Sequence, residues 1–128
     1  MNLSDLGLPV SNAAVVVRRD YLNAHRDLAQ RYVDSLVQAV VKAKQDKAFT
    51  LQVLRKYQKV DDERLLEGTY DFYFGKEYIA GQPYLTVDQL KADLDDVAST
   101  NPKAASLDLN SLVDASFVKN AIGRGLDQ

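Results

Sequence analysis

A helical repeat of apolar side chains between Asp27 and about Lys44 sets the first constraint on how this chain folds. The apolar members of the repeat are Ala29, Tyr32, Val33, Leu36, Val37 and Val40. Because they recur at steps of three and one, they share one face of a helix, and the polar side chains between them share the opposite face. The sequence therefore predicts a long amphipathic helix. At 128 residues the chain has room for one helix-rich domain, residues 1–128, built around it.

Helical spacing and capping residues predict four more helices after the first one. Thr86 followed by Gln89 forms a capping box at the start of one of them. Gly68 and Gly75 fall inside another and are expected to bend or divide it. The expected ranges are 48–57, from Asp61 or Asp62 to about Tyr78, from Thr86 to about Ser99, and a short helix after Asp114. The predicted fold is therefore mainly α.

The segment Ala13–Val17 is the single predicted strand. Its sequence, Ala-Ala-Val-Val-Val, is rich in β-branched side chains, and Arg18, Arg19 and Asp20 close it. A lone strand leaves backbone donors and acceptors unpaired, so it needs a partner. The sequence leaves three alternatives open: a homo-oligomer paired through the strand, a separately encoded N-terminal part, or a helical subdomain with a loose N-terminus.

Composition and charge exclude several classes of function. Sixteen Lys and Arg against eighteen Asp and Glu give a net charge of −2, which provides no broad attraction to nucleic acid. The absence of cysteine excludes thiolate metal sites, disulfides and cysteine nucleophiles. The longest apolar run, Ala13–Val17, is far shorter than the ~20 residues of a membrane helix. The N-terminus lacks the features of a secretory signal, so the chain as written is expected in the cytoplasm.

Residues with catalytic or metal-binding potential lack the partners that such chemistry requires. His25 is the only histidine and is interpreted as a surface or helix-start residue. The run Asp61–Glu63 lacks the ligand spacing of a calcium loop and is interpreted as a helix cap. Tyr70, Tyr73 and Tyr78 are interpreted as core aromatics with wet hydroxyl groups. We therefore expect no catalytic residue, metal site or cofactor, and no enzyme.

Four polar residues flank the predicted strand and are the candidates for ligand contacts. Arg18 and Arg19 follow it directly, and their guanidinium groups match carboxylate, sulfonate or phosphate ligands. Ser11 and Asn12 precede it. Solvation of the strand end is the alternative role for all four. These side chains do not enclose a pocket by themselves, so the isolated chain is expected to bind no small molecule tightly.

Several segments between residues 14 and 118 follow one another in an informative order. The first, Ala14-Val15-Val16-Val17-Arg18-Arg19-Asp20-Tyr21-Leu22, is followed by Arg31-Tyr32-Val33, Leu36-Val37-Gln38-Ala39, Val53-Leu54-Arg55-Lys56-Tyr57, Tyr70-Asp71-Phe72-Tyr73, Asn101-Pro102 and Val113-Asp114-Ala115-Ser116-Phe117-Val118. In their order and spacing these segments resemble the C-terminal portion of nitrate/sulfonate/taurine-type substrate-binding proteins of ABC transporters. The resemblance covers nearly the whole chain.

The resemblance implies a two-lobed α/β periplasmic-binding-protein fold, of which this chain supplies the C-terminal helical part and one short strand. Most sheet strands and the early ligand-gripping loops would precede this region, so the chain is expected to be a fragment with an incomplete ligand cleft. The implied function is capture of a small anionic or heterocyclic solute in the periplasm and its delivery to an importer permease. The alternative is a small helical interaction or scaffold module without ligand binding. An enzyme of the related pyrimidine-synthesising branch is a third possibility, and His25 alone gives it little support.

Overall fold

A computed structural model of the chain describes residues 14–75 and 85–128, and these residues are mainly helical. The α-helices are α1 (Arg19–Ala24), α2 (Arg26–Gln45), α3 (Lys47–Gln58), α4 (Glu63–Tyr70), α5 (Val87–Thr100) and α6 (Ser116–Gly123). A π-helical turn, Asp71–Gly75, continues α4, and two 3-10 turns, Ala104–Ser106 and Leu109–Ser111, follow α5. The prediction of a mainly α fold is confirmed.

The chain divides into two compact units. The first unit comprises Met1–Leu22 and Tyr84–Ala115, and the second comprises Asn23–Pro83 and Ser116–Gln128. In the second unit α2 packs against α3 and α6, and α3 also packs against α4. In the first unit α5 packs against the two 3-10 turns. The single domain expected over residues 1–128 stays a prediction.

The helix boundaries follow from capping side chains close in sequence. Asp46 ends α2 and begins α3, where its carboxylate accepts a hydrogen bond from the backbone amide of Phe49 at 3.0 Å. Asp62 caps α4, where its carboxylate accepts hydrogen bonds from the backbone amides of Arg64 and Leu65. At the start of α5 the capping box of Thr86 and Gln89 is present as predicted. These caps satisfy amide groups that have no partner within the helix.

The predicted strand is not seen in the residues that the structure describes, so it stays a prediction. Ala14–Val17 have no regular secondary structure, residues 14–75 and 85–128 contain no strand, and Ala13 lies outside the described residues. The valine side chains are exposed, by 89% for Val16. Strand preference reflects packing against neighbouring strands, so β-branched residues alone do not form a strand where no second strand pairs with them.

The helix expected to run to about Tyr78 also differs from the prediction. Its α-helical part ends at Tyr70, and the turn Asp71–Gly75 is π-helical. Residues 76–84, which include Tyr78, lie outside the described residues. Among the described residues no helix combines the length and the apolar character needed to cross a membrane.

The long helix α2 confirms the predicted repeat and shows how much of its apolar face is buried. Val37 is fully buried, whereas Tyr32 on the same predicted face is 52% exposed. The two residues are five positions apart, which places them about 140° apart around the helix, so Tyr32 lies outside the buried stripe that contains Val37. Periodicity therefore identified the helix and its general face, but not the extent of the core.

Candidate functional site

The four ligand-contact candidates do not form one site in the described residues. Ser11 and Asn12 lie outside them. Arg18 is exposed, and its Nε donates to Oδ1 of Asp20 at 3.0 Å. This hydrogen bond raises the pKa of the Arg18 guanidinium and, together with the Tyr21 amide, lowers the pKa of the Asp20 carboxyl. The Arg18 side chain is therefore already engaged by a carboxylate two residues away.

Arg19 is engaged by a different acceptor. Its Nη2 donates to the backbone carbonyl oxygen of Ser111 at 2.9 Å, within the first unit. Arg18 and Arg19 are neighbours in the chain, but the structure gives them separate acceptors. An anion held between them would have to replace the contacts to Asp20 and Ser111, so the arrangement is not a preformed anion site.

Among the described residues, a cluster of hydrogen bonds in the second unit joins α2 to α6 and to Arg124, which follows α6. The side-chain amide of Gln30 donates to Oδ1 of Asp34 at 2.8 Å and to the carbonyl oxygen of Phe117 at 2.8 Å. Asn120 donates to Oε1 of Gln30 at 3.3 Å, and Arg124 forms an ion pair with Asp34. We call these four side chains, Gln30, Asp34, Asn120 and Arg124, the polar clasp. It joins residues about 90 positions apart in sequence.

The charge state of the clasp depends on two opposing effects at Asp34. Partial burial raises the pKa of this carboxyl, while hydrogen bonds from Arg124 and Gln30 and the charge of Arg124 lower it. The lowering effects prevail, so the pKa of Asp34 lies below its usual 3.8. Asp34 is therefore ionised in the clasp at neutral pH. Each side chain of the clasp makes at least one hydrogen bond within the protein, which suits a structural joint better than a ligand site.

Sequence reasoning missed the clasp, although a signal for it exists. Gln30 and Asp34 are four residues apart, as are Asn120 and Arg124. This spacing places each pair on one helix face. Each pair also borders an apolar residue that is buried, Val37 on α2 and Ala121 on α6. Two such polar pairs beside apolar stripes are the pattern that could have pointed to a helix contact.

Two small depressions in the second unit lie along the second half of α2. One depression has a volume of about 160 Å³ and is lined by Val40, Val41, Lys44, Gln45 and Asp127. A neighbouring depression of about 170 Å³ shares Val41 and Gln45 and extends to the C-terminal residues 125–128. Pockets for small organic ligands are usually larger, roughly 300–1,000 Å³. These depressions fit a few water molecules.

The remaining residues that the sequence singled out have structural positions. His25 occupies the N-cap position of α2, and Asp62 caps α4, as expected. Tyr70 is buried and its hydroxyl donates to the carbonyl oxygen of Lys44 at 3.1 Å, whereas Tyr73 is 40% exposed. In the described ranges no three His, Asp or Glu side chains converge as metal ligands would. Tyr70 is thus a core aromatic, as predicted, and Tyr73 is only partly one.

Comparisons with protein-family models, with curated proteins and with solved structures found no match to this chain.

Proposed function

We propose that this chain is the C-terminal helical part of a nitrate/sulfonate/taurine-type solute-binding protein, which captures a small anionic or heterocyclic solute and delivers it to an ABC importer permease. The proposal places the working protein in the periplasm. In this proposal the chain has no catalytic role. Support comes first from the order of the resembling segments, which fall on successive helices: two on α2, one on α3, one where α4 meets the π-helical turn, and one at the start of α6.

The observation that carries the proposal is the exposure of the segment Val15–Val17. Its three valines are 59%, 89% and 42% exposed. Consecutive exposed β-branched side chains are unusual for a self-sufficient surface, because they leave apolar area in water and favour pairing with a sheet. A role as one strand in the sheet of a larger two-lobed protein would cover both the valines and their backbone groups.

The ligand contacts in this proposal are incomplete without the rest of the protein. Arg18 and Arg19, with Ser11 and Asn12, remain the candidates for the cleft side of the strand. For either arginine to contact an anionic solute, it must exchange its present acceptor, Asp20 or the Ser111 carbonyl, for the solute. We therefore expect the isolated chain to show no binding of nitrate, taurine, alkanesulfonates or pyrimidine precursors of thiamine at micromolar concentrations.

A hybrid protein gives the direct test. The chain would replace the C-terminal helical part of a known taurine-binding protein of this type, and calorimetry would measure taurine binding. We expect the hybrid to fold cooperatively and to bind within about tenfold of the original protein, because the architecture is conserved in the proposal. The matched control carries Val15→Asp and Val17→Asp, which should abolish assembly of the sheet and binding with it.

Two results would contradict the proposal. One is a hybrid that unfolds cooperatively in thermal melting yet does not bind taurine, and the other is micromolar binding by the isolated chain. If the isolated chain binds and Arg18→Ala or Arg19→Ala removes that binding, the ligand site is complete within this chain. Permease and ATPase genes beside the coding sequence would agree with the proposal, and their absence from a complete genomic region would count against it.

The second candidate function is a helical interaction module without ligand binding. Its specific support is the exposure of Leu28 and Tyr32, 45% and 52%, one turn apart on α2. Light scattering on the purified chain separates the candidates. A homo-oligomer that Leu28→Asp with Tyr32→Asp dissociates supports assembly through α2, and one that Val16→Asp dissociates supports assembly through the valine segment. A stable, folded monomer contradicts self-assembly.

A further inference from the structure

The second half of α2 and all of α3 carry a charge opposite to that of the rest of the chain. Residues 42–59 contain six cations, Lys42, Lys44, Lys47, Arg55, Lys56 and Lys59, and one carboxylate, Asp46. Six positive charges less one negative charge leave +5 for this segment. Because the whole chain carries −2, the remaining residues carry −7. The segment is therefore a local basic region in an acidic protein.

The same region exposes two aromatic rings on α3. Phe49 is 46% exposed and Tyr57 is 73% exposed. Lysine ammonium groups lie over both rings, with Lys42 Nζ 5.4 Å from the Phe49 centroid and Lys56 Nζ 5.2 Å from the Tyr57 centroid. Phe49 and Lys56 are seven residues apart, so they lie on the same side of the helix. Rings and ammonium groups thus form one surface.

Ion pairing neutralises only part of this surface. Lys42 contacts Asp46 at 2.8 Å, Lys47 contacts Asp71 at 3.1 Å, and Arg55 contacts Glu63 at 3.5 Å. Asp61 also lies 3.9 Å from Arg55. Within residues 14–75 and 85–128, Lys44, Lys56 and Lys59 show no ion pair. Cations near the C-terminal ends of α2 and α3 are favoured by the helix dipoles, which explains part of the charge but not the exposed rings.

We propose that Lys42, Phe49, Lys56, Tyr57 and Lys59, the basic aromatic face, dock on an anionic phospholipid surface. Lysine ammonium groups can reach lipid phosphates while their methylene stems lie beside the rings at the level of the headgroups. Five of the six cations are lysines. Protein interfaces are depleted in lysine and enriched in arginine, so the composition favours lipid over an acidic protein surface. This inference does not depend on the proposed solute-binding function.

The character of the binding follows from the small apolar area. Two rings on a polar helix do not insert deeply, so attraction between lysines and anionic lipid supplies most of the affinity. Binding is therefore weak and depends on salt, since charges separated by more than about 8 Å are screened at physiological ionic strength. Binding also requires an anionic lipid, because headgroups without net charge do not attract the lysine ammonium groups.

Sedimentation with vesicles tests the proposal on the intact chain. Vesicles would contain phosphatidylcholine alone or with added phosphatidylglycerol, and the bound fraction would be measured at low and physiological salt. We expect binding only with phosphatidylglycerol, and an association at least tenfold weaker at physiological salt than at low salt. The double variant Lys56→Gln, Lys59→Gln should weaken association about tenfold. Phe49→Ser with Tyr57→Ser should weaken it by roughly threefold or more.

The matched control changes two exposed lysines in the first unit, Lys91→Gln and Lys103→Gln, which alter the net charge by the same amount. It should change vesicle association by less than about twofold, and thermal melting would verify that all variants remain folded. Equal weakening in the control, or no association with phosphatidylglycerol vesicles at low salt, overturns the proposal. Association with soluble polyglutamate but not with vesicles also overturns it, in favour of an acidic protein partner.

Discussion

The two units of the chain differ sharply in what they bury. The second unit contains the buried side chains Val37, Thr50, Leu66, Tyr70, Phe117 and Ala121. In the first unit, Ala104 is buried. Five large apolar side chains there are about half exposed or more, namely Val15, Val16, Val97, Leu107 and Leu112, and others are partly buried. The two units therefore rest on different kinds of interaction.

This difference shows how far local interactions can define structure without a core. Helix α5 in the first unit has a complete capping box, formed by residues three positions apart. Such hydrogen bonds determine where helices end, but each contributes only about 1 kcal/mol to the free energy of unfolding. Burial supplies most of the stability of packed helices. We expect the second unit to fold by itself. We expect the first unit to become more stable when another surface covers its exposed apolar residues.

The largest expected effect comes from truncating the core of the second unit. Leu66 is 2% exposed, so Leu66→Ala should lower the free energy of unfolding by about 3 kcal/mol through lost burial and the cavity left behind. Leu107 in the first unit is 51% exposed, and Leu107→Ala should cost less than about 1 kcal/mol. Urea denaturation followed by circular dichroism measures both. Equal losses would contradict the difference between the units.

The polar clasp provides a pH-dependent test within the second unit. Asp34→Asn removes the ion pair with Arg124 and should cost about 1.5 kcal/mol at neutral pH. Because the pKa of Asp34 is lowered on folding, the contribution of its carboxylate is present above the usual value of 3.8 and is lost as the pH falls through the folded value. The stability difference between wild type and variant should therefore shrink below about pH 4.

Urea denaturation from pH 7 to pH 3 measures that difference. Asp27→Asn is the control, since Asp27 pairs with Arg31 and both side chains are more than 70% exposed. It should change stability by less than about 0.5 kcal/mol. A loss for Asp34→Asn that stays constant down to pH 3 would show that the carboxylate charge is not what stabilises the clasp.

Removing one helix cap from each unit tests whether the two units unfold in a single cooperative transition. Asp62→Ala in the second unit should lower the main cooperative transition by about 1 kcal/mol. Thr86→Ala in the first unit removes a cap of similar strength, yet it should leave that transition within a few tenths of a kcal/mol and instead speed hydrogen exchange in α5. Exchange measured by NMR distinguishes these outcomes. An equal shift of the main transition by both variants would mean that the chain unfolds as one unit.

The smallest expected effect concerns backbone conformation at the end of α3. Lys59 has a φ of 54°, a left-handed conformation that favours glycine at this position. Lys59→Gly should therefore raise stability by roughly 0.5 kcal/mol, the strain relief being partly offset by the greater freedom of the unfolded chain. Gly125 has a φ of 74°, so Gly125→Ala is the opposite change and should lower stability by about 1 kcal/mol. Thermal melting checks both signs.

Among the candidate site residues, sequence reasoning identified residue types but not the partners that those residues have in the fold. It identified Arg18 and Arg19 as possible anion contacts from residue type and position after a valine run. Whether a guanidinium is available depends on what surrounds it, and the Arg19 acceptor, Ser111, is 92 residues away. The polar clasp escaped prediction for the same reason, since Gln30 and the Phe117 carbonyl are 87 residues apart. No local pattern specifies such pairs.

The sequence by itself determined where α2, α3, α5 and α6 lie and how several of the helices begin. Such features depend on groups within four residues of one another, so they can be predicted from the sequence. They are the repeat on α2, the Asp62 cap and the capping box of Thr86 and Gln89. Only the tertiary structure decided that Val37 is buried while Tyr32 is not, and that Val15–Val17 form no strand in the described residues. Burial and strand pairing require a second surface, and a local pattern does not say whether that surface is present.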